Sequence, residues 1–176
     1  MVVFCLVFIF ISVQGYSQTQ LKKSKGSLIN EDLIGGRKYL NKSSRFIATS
    51  EFFHNISGDI YMREKKYNQA LKEYYKAYKY APNPKLATKM AVCYINLNNE
   101  KKAFSKLYYA VNHTPSLFRP YYILMSMYSK QGNKQKTIET ANIIINKKIK
   151  IDSDEVLFYK NKALEILKSY QNENKK

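Results

Sequence analysis

The chain has 176 residues and carries 30 Lys and Arg against 13 Asp and Glu, a formal net charge of +17. With 45% apolar residues, 14% aromatics, 16 Tyr and no Trp, it has the material for one domain with a real core. That excludes a disordered tail, a collagen-like repeat and a multi-span membrane protein. Two cysteines cannot build a disulfide framework, and two histidines beside them make no metal cluster, so no metal or other cofactor is expected.

Of the cations, 26 are Lys and only 4 are Arg, in a chain also rich in Asn, Ile and Tyr. AT-rich coding favours all four of those abundant residues, which accounts for much of the Lys excess. A nucleic-acid reader would use Arg for bidentate contacts to bases and phosphate, so nucleic acid is not the expected partner. What is left is a non-specific, salt-dependent attraction to polyanions.

Residues 2–13, VVFCLVFIFISV, are apolar but for Ser12, and polar GYSQTQ follows. A bilayer-spanning helix needs about 20 such residues. The length suits a signal-peptide core, with Val13 and Gly15 small enough to precede a cut before Tyr16 or after Ser17, although no cation precedes the apolar run. Residues 1–17 are read either as a signal peptide or as a truncated membrane anchor, and both place the chain in the cell envelope, exported to the periplasm or held at a membrane. Cys93, on the apolar side of a helix, is expected to be a small buried hydrophobe. Residues 18–44 mix Lys, Ser, Gly and Asn and read as a linker with one short helix near Asp32–Leu40; the Gly35-Gly36 pair argues against a longer one.

Beyond residue 45 the chain repeats. Gly58, Tyr61, Ala70, Tyr74, Ala77 and Pro82 are followed, at one constant offset (91 − 58 through 115 − 82), by Ala91, Tyr94, Ala103, Leu107, Ala110 and Pro115. A third set, one position further along in register (125 − 91), contains Met125, Tyr128, Thr137, Ala141 and Ile144. Small with small, large with large and Pro with Pro in one register point to a duplicated structural unit. Ala70, Tyr74 and Ala77 share one helix face, and the small residues let paired antiparallel helices approach while the tyrosines fill the space beside them. Pro82 and Pro115 stand where a helix must stop. Asn98 and Gly132 tolerate the left-handed conformation that closes a helix. Helices are expected at 45–64, 67–80, 85–97, 100–113, 118–131, 134–147 and 154–171. The fold class is all-α.

A helix–turn–helix unit of this length and pattern resembles the tetratricopeptide repeat. GDIYMREKKYNQALKEYYKAYKYAP (58–82) and AVCYINLNNEKKAFSKLYYAVNHTP (91–115) fit well, with His54 and Ser57 where the family has Trp and Leu. The third copy departs at Met125, Thr137, Ile144 and Ile149. The resemblance implies an α-solenoid of about three repeats over 45–150, and a capping helix with a polar tail over 151–176. In that helix Val156, Leu157, Lys160, Ala163, Leu164 and Leu167 form the amphipathic arrangement, capped by Asp152 or Ser153. The run 118–168 is also similar to the carboxy-terminal repeat region of Bacteroidetes-type O-antigen ligase/polymerase-like proteins, through Arg119-Pro120-Tyr121, Lys147-Lys148-Ile149-Lys150-Ile151 and Ser153. The membrane body that would carry the glycan chemistry is not in this sequence, and that likeness implies association with an envelope membrane protein.

Tetratricopeptide arrays are implied to hold an extended peptide or partner helix on the groove lined by their first helices. Carried onto this sequence, the groove positions are Phe52, Asn55, Asp59, Met62 and Arg63, then Lys85, Thr88, Val92, Ile95 and Asn96. Arg119, Tyr122, Ser126, Ser129 and Lys130 follow from the third repeat. Cations outnumber the single anion, so an acidic peptide, a carboxyl terminus or an anionic glycan is the expected ligand. Asp59 stands where a carboxylate-clamp repeat has Asn, so that subtype is not expected. His54 and His113 lie in different repeats, and no nucleophile elbow, phosphate loop or zinc motif occurs, so no enzymatic activity is expected.

Overall fold

The computed structural model describes residues 2–47, 50–149 and 153–173, and among them the side chains of 9–43, 50–149 and 153–172. The described residues form nine α-helices: α1 (Val2–Ile29), α2 (Leu33–Ile47), α3 (Glu51–Arg63), α4 (Tyr67–Tyr80), α5 (Pro84–Asn96), α6 (Glu100–His113), α7 (Arg119–Lys130), α8 (Lys134–Asn146) and α9 (Asp154–Glu173). They fall into two compact units, Met1–Asn99 and Glu100–Lys176.

Local chemistry sets the helix starts. The Ser50 hydroxyl accepts the Phe53 amide at 3.1 Å at the head of α3, and Asn83 accepts the Leu86 amide at 2.8 Å ahead of Pro84 in α5. Asn133 accepts the Lys136 amide at 3.1 Å for α8, and Ser153 accepts the Val156 amide at 3.3 Å for α9. Asp152, the other expected cap, lies outside the described residues.

One turn recurs four times. Glu31, Lys65, Asn98 and Gly132 have φ of 61°, 59°, 56° and 69°, and each stands one repeat length after the last (65 − 31, 98 − 65, 132 − 98). The amide after each donates to a carbonyl further back in the preceding helix: Asp32 to Ser27 at 2.8 Å, Lys66 to Tyr61 and Asn99 to Tyr94 at 2.9 Å, and Asn133 to Tyr128 at 3.0 Å. This closure satisfies carbonyls that the last helical turn leaves open, and it requires the left-handed residue.

The first of these turns overturns the linker reading of 18–44. Residues 18–29 continue α1, and α2 runs from Leu33 straight through Gly35 and Gly36 to Ile47. Position by position this hairpin is a further copy of the repeat. Ser24, Gly36, Leu40 and Ser43 lie one repeat length before Gly58, Ala70, Tyr74 and Ala77 (58 − 24 through 77 − 43), and all eight are buried. The two glycines each lower helix propensity by about 1 kcal/mol, but packing decides. A Cβ at Gly36 would stand 3.0 Å from Leu28 Cδ2, and the Ser24 hydroxyl donates to the Gly36 carbonyl at 2.6 Å. The Asp32 carboxylate accepts the Gly35 amide at 2.8 Å and starts α2. The expected helix 45–64 is accordingly two elements, the end of α2 and α3.

The first unit packs α1 on α2, α3 on α4, and α3 against both α1 and α2. Helices α3 and α4 approach closely at Gly58, where a Cβ would stand 2.5 Å from Tyr74 Cδ1. Tyr74 is fully buried, and its hydroxyl donates to Asp59 at 2.7 Å. Two ionic knots tie the helices. Arg37 bonds Glu64 through Nε at 3.0 Å and lies over the Tyr61 ring, and Lys66 completes that group at 3.0 Å. His54 is buried and meets Glu73 at 2.7 Å, with Lys76 at 2.8 Å. In the second unit α7 packs on α8, and α9 covers both through Tyr159 and Ala163, which join Phe118, Met125, Ala141 and Ile144. The expected apolar stripe of α9 is corrected here: Leu157 and Leu164 are exposed, and Val156, Tyr159, Ala163, Ile166 and Leu167 face the core.

A tyrosine pair marks the same step in each unit. The Tyr75 and Tyr94 hydroxyls bond at 2.6 Å between α4 and α5. Tyr108 and Tyr128, one repeat length further on (108 − 75, 128 − 94), bond between α6 and α7. Burial, with the partner hydroxyl next, pushes Tyr94 and Tyr128 above the ordinary tyrosine range.

Gly58→Ala forces a methyl into the Tyr74 ring and should lower unfolding free energy by about 1–3 kcal/mol in urea titration. Burial alone would raise the Glu73 pKa, but hydrogen bonds from Lys76 and His54 outweigh it and hold the carboxyl below its ordinary 4.5. A depressed folded pKa adds stability that is full above pH 4.5 and is lost as pH falls through the folded value. Between about pH 6 and about pH 3, Glu73→Gln should therefore lose less stability than the parent chain.

Candidate functional site

In the first unit, three first helices (α1, α3 and α5) contribute to one face. Lys89 of α5 donates to Asn55 at 2.8 Å and reaches Asp59 at 2.7 Å, both on α3, while Asp59 also accepts from Tyr74. The one carboxylate expected in the groove is thus already neutralised. Between α1 and α3 a cavity of about 200 Å³ is lined by Gln18, Leu21, Lys22, Ser50 and Phe52. Lys25 stands over the Phe52 ring at 5.8 Å, and Phe52 is 37% exposed. Arg63 and Lys85 are exposed. The face therefore combines an apolar recess with flanking ammonium groups.

Thr88 does not serve as expected: it is buried, and its hydroxyl donates back to the Pro84 carbonyl at 2.8 Å. The polar side chain that reaches α3 is its neighbour Lys89, which bonds Asn55. A register carried over from Asn55 to Thr88 passes over it. Gln18, Lys22 and Lys25 were hidden by the linker reading. Cys93 is fully buried beneath this face; burial, and then the Asp59 charge, push its thiol up to about 12.

In the second unit Arg119 and Lys130 are exposed on α7. Tyr122 is occupied by the capping helix, stacking on Tyr159 at 4.8 Å with Phe158 edge-on at 5.7 Å, and Ser126 donates to the Tyr122 carbonyl at 3.0 Å. These four expected groove residues are divided: the two cations are open and the two hydroxyl-bearing residues are engaged. Lys147 is a structural tie. Its ammonium bonds the Pro115 and Leu117 carbonyls and sits 3.7 Å from the Tyr121 ring centroid, and burial lowers its pKa to about 8. Among the described residues no group of three His, Cys, Asp or Glu is placed to hold a metal ion.

No family model matches the chain, and no curated protein does. Solved structures do. The chain is similar to MamA, with a TM-score of 0.60 and 18% identity over 89% of this chain and 81% of that one. It is also similar to the MamA RS-1 ArsTM double mutant, with a TM-score of 0.64 and 17% identity over 89% and 97%. A chain of the APC/C hetero-tetramer Cut9–Hcn1 gives 0.70 at 12% identity, covering 82% of this chain and 29% of that one. These are tetratricopeptide proteins, and the shared property is the fold: all-α, built of tetratricopeptide-like helix–turn–helix units. The likeness of 118–168 to the O-antigen ligase-type region has no counterpart among these matches.

The buried thiol gives a direct check. Peptide mapping after iodoacetamide treatment near pH 8 should show Cys93 labelled at least about tenfold more slowly in the folded chain than in urea.

Proposed function

We propose that the chain is a non-catalytic interaction scaffold of the bacterial cell envelope, holding an acidic peptide segment of a partner protein on the first-helix face of residues 1–99. The observation that carries this reading is the charge arrangement on that face. Lys22 lines a recess floored by Leu21 and Phe52, Lys25 stands over the Phe52 ring, and Arg63 and Lys85 are exposed further along these helices, while the Asp59 carboxylate is paired with Lys89 and that of Glu51 accepts from Asn55. An extended peptide laid there would place an apolar side chain in the recess and its carboxylates among the ammonium groups. The Cut9–Hcn1 match supports a scaffold reading, since that protein was crystallised as part of a hetero-tetramer.

Fluorescence anisotropy with a labelled peptide rich in Asp and Glu, and with its Gln/Asn analogue, tests this. The acidic peptide should bind, the neutral one should not, and Lys22→Glu with Lys25→Glu should weaken binding at least about tenfold. Equal binding of both peptides, or indifference to the substitutions, would overturn the assignment. Displacement of the peptide by an oligonucleotide at equal charge concentration would replace it with non-specific polyanion binding.

A further inference from the structure

We infer that residues 2–13 lie outside the repeat array and insert into an anionic membrane, with the lysines of the α1–α2 hairpin on the headgroups. This rests on the envelope location proposed above and adds the means of attachment.

The register shows where the array begins. α3 starts at Glu51, and the equivalent position one repeat length earlier, in the register that pairs Gly58 with Ser24, is Ser17, which is fully buried. The first helix of the α1–α2 pair is therefore 17–29, and the turns before it are an extension. Ser24 is bonded to Gly36 across the hairpin, so α2 comes level with residue 13 where it ends at Ile47 (47 − 36 equals 24 − 13). Everything before residue 13 extends past the described residues of its partner helix.

The projection is apolar but for Ser12. Ile9, Phe10 and Ile11 are 58%, 59% and 61% exposed, and three successive helical residues point roughly 100° apart. The preceding residues in the same helix are VVFCLVF. A helix apolar all round suits a hydrocarbon environment. No described helix is long and apolar enough to cross a membrane.

Charge names the surface. Lys22, Lys23 and Lys25 on α1 and Lys38 and Lys42 on α2 are all exposed, and the hairpin's two carboxylates, Glu31 and Asp32, sit together at its far turn. Lys22 lies about 13 Å along the helix from the end of the apolar stretch, within headgroup reach.

The chain has no Trp, so Phe10→Trp in the full chain gives a single reporter. With vesicles of about seven parts phosphatidylcholine to three parts phosphatidylglycerol, its emission should shift to the blue and be quenched by lipids brominated along the acyl chain. Ile9→Glu with Phe10→Glu and Ile11→Glu should cut vesicle co-sedimentation at least about tenfold, with helical signal and melting temperature unchanged. Lys38→Glu with Lys42→Glu should weaken binding to these vesicles and leave any residual binding to pure phosphatidylcholine unchanged. Unaltered emission with vesicles would overturn the inference. So would an intact mass from native membranes lacking residues 2–15, the mark of a removed leader. Light scattering that shows a dimer dissolved by the triple Glu substitution would overturn it too, by placing a second copy of the chain on this helix. None of these variants touches Lys22 or Lys25, so acidic-peptide binding by the same proteins separates failure of the anchor from failure of the groove.

Discussion

Two antiparallel helices share a core only where their side chains sum to the right volume at the crossing, and that constraint organises this chain. In the α3–α4 pair the first helix gives up its side chain at Gly58, and the second fills the space with Tyr74. In the α7–α8 pair the exchange is reversed. Met125 stands in the glycine position and Ala141 in the tyrosine position, both buried in one cluster. The α1–α2 pair takes an intermediate course, with Ser24 and Leu40. Interiors packed to crystal density tolerate such reciprocal swaps far better than a change on one side only. The third repeat, which looks eroded in sequence, is for this reason well packed in structure.

The same balance decides what was legible in the sequence. Tyr, Ala and Pro recurring at one spacing revealed the three repeats beyond residue 45 and put six of the helices nearly on their observed bounds. Asn98 and Gly132 identified two of the left-handed turns because their side chains favour that conformation. Glu31 and Lys65 adopt it as well, and nothing in their chemistry announces it. The α1–α2 copy escaped because it meets the volume requirement with Ser and Gly, which read as linker, and because two adjacent glycines argue locally against a helix. Packing of Gly36 on Leu28 overrides that local preference. A search of 18–44 for small residues one repeat length before Gly58 and Ala70 would have exposed it.

The candidate face was legible in kind more than in detail. Basic excess and the first-helix positions pointed to a surface for acidic ligands, but the pairing of Lys89 with Asn55 and Asp59 depends on how α5 sits beside α3. That placement also changes the meaning of Asp59. As an isolated carboxylate it would repel an acidic peptide; paired with an ammonium group 2.7 Å away and holding the Tyr74 hydroxyl, it becomes part of the scaffold. Thr88 and Tyr122 show the opposite case. Both occupy positions facing a ligand in the family pattern, and here one is turned into its own helix and the other is roofed by α9.

The continuity of α1 bears on how the array would be held. In the other described pairs the first helix begins at or beside a cap or a proline, whereas α1 runs helically through the corresponding place at Ser17, whose buried hydroxyl has no hydrogen-bond partner. Nothing in the repeat calls for the added turns, because the pair is complete once α2 ends. A flexible tether would have needed a break, and Gly15 alone does not provide one within a helix bonded on both sides. The extension and the first helix of the array are one continuous helix. Whatever holds residues 2–13 therefore fixes the direction of 17–29, and through the Ser24–Gly36 contact it fixes α2 as well.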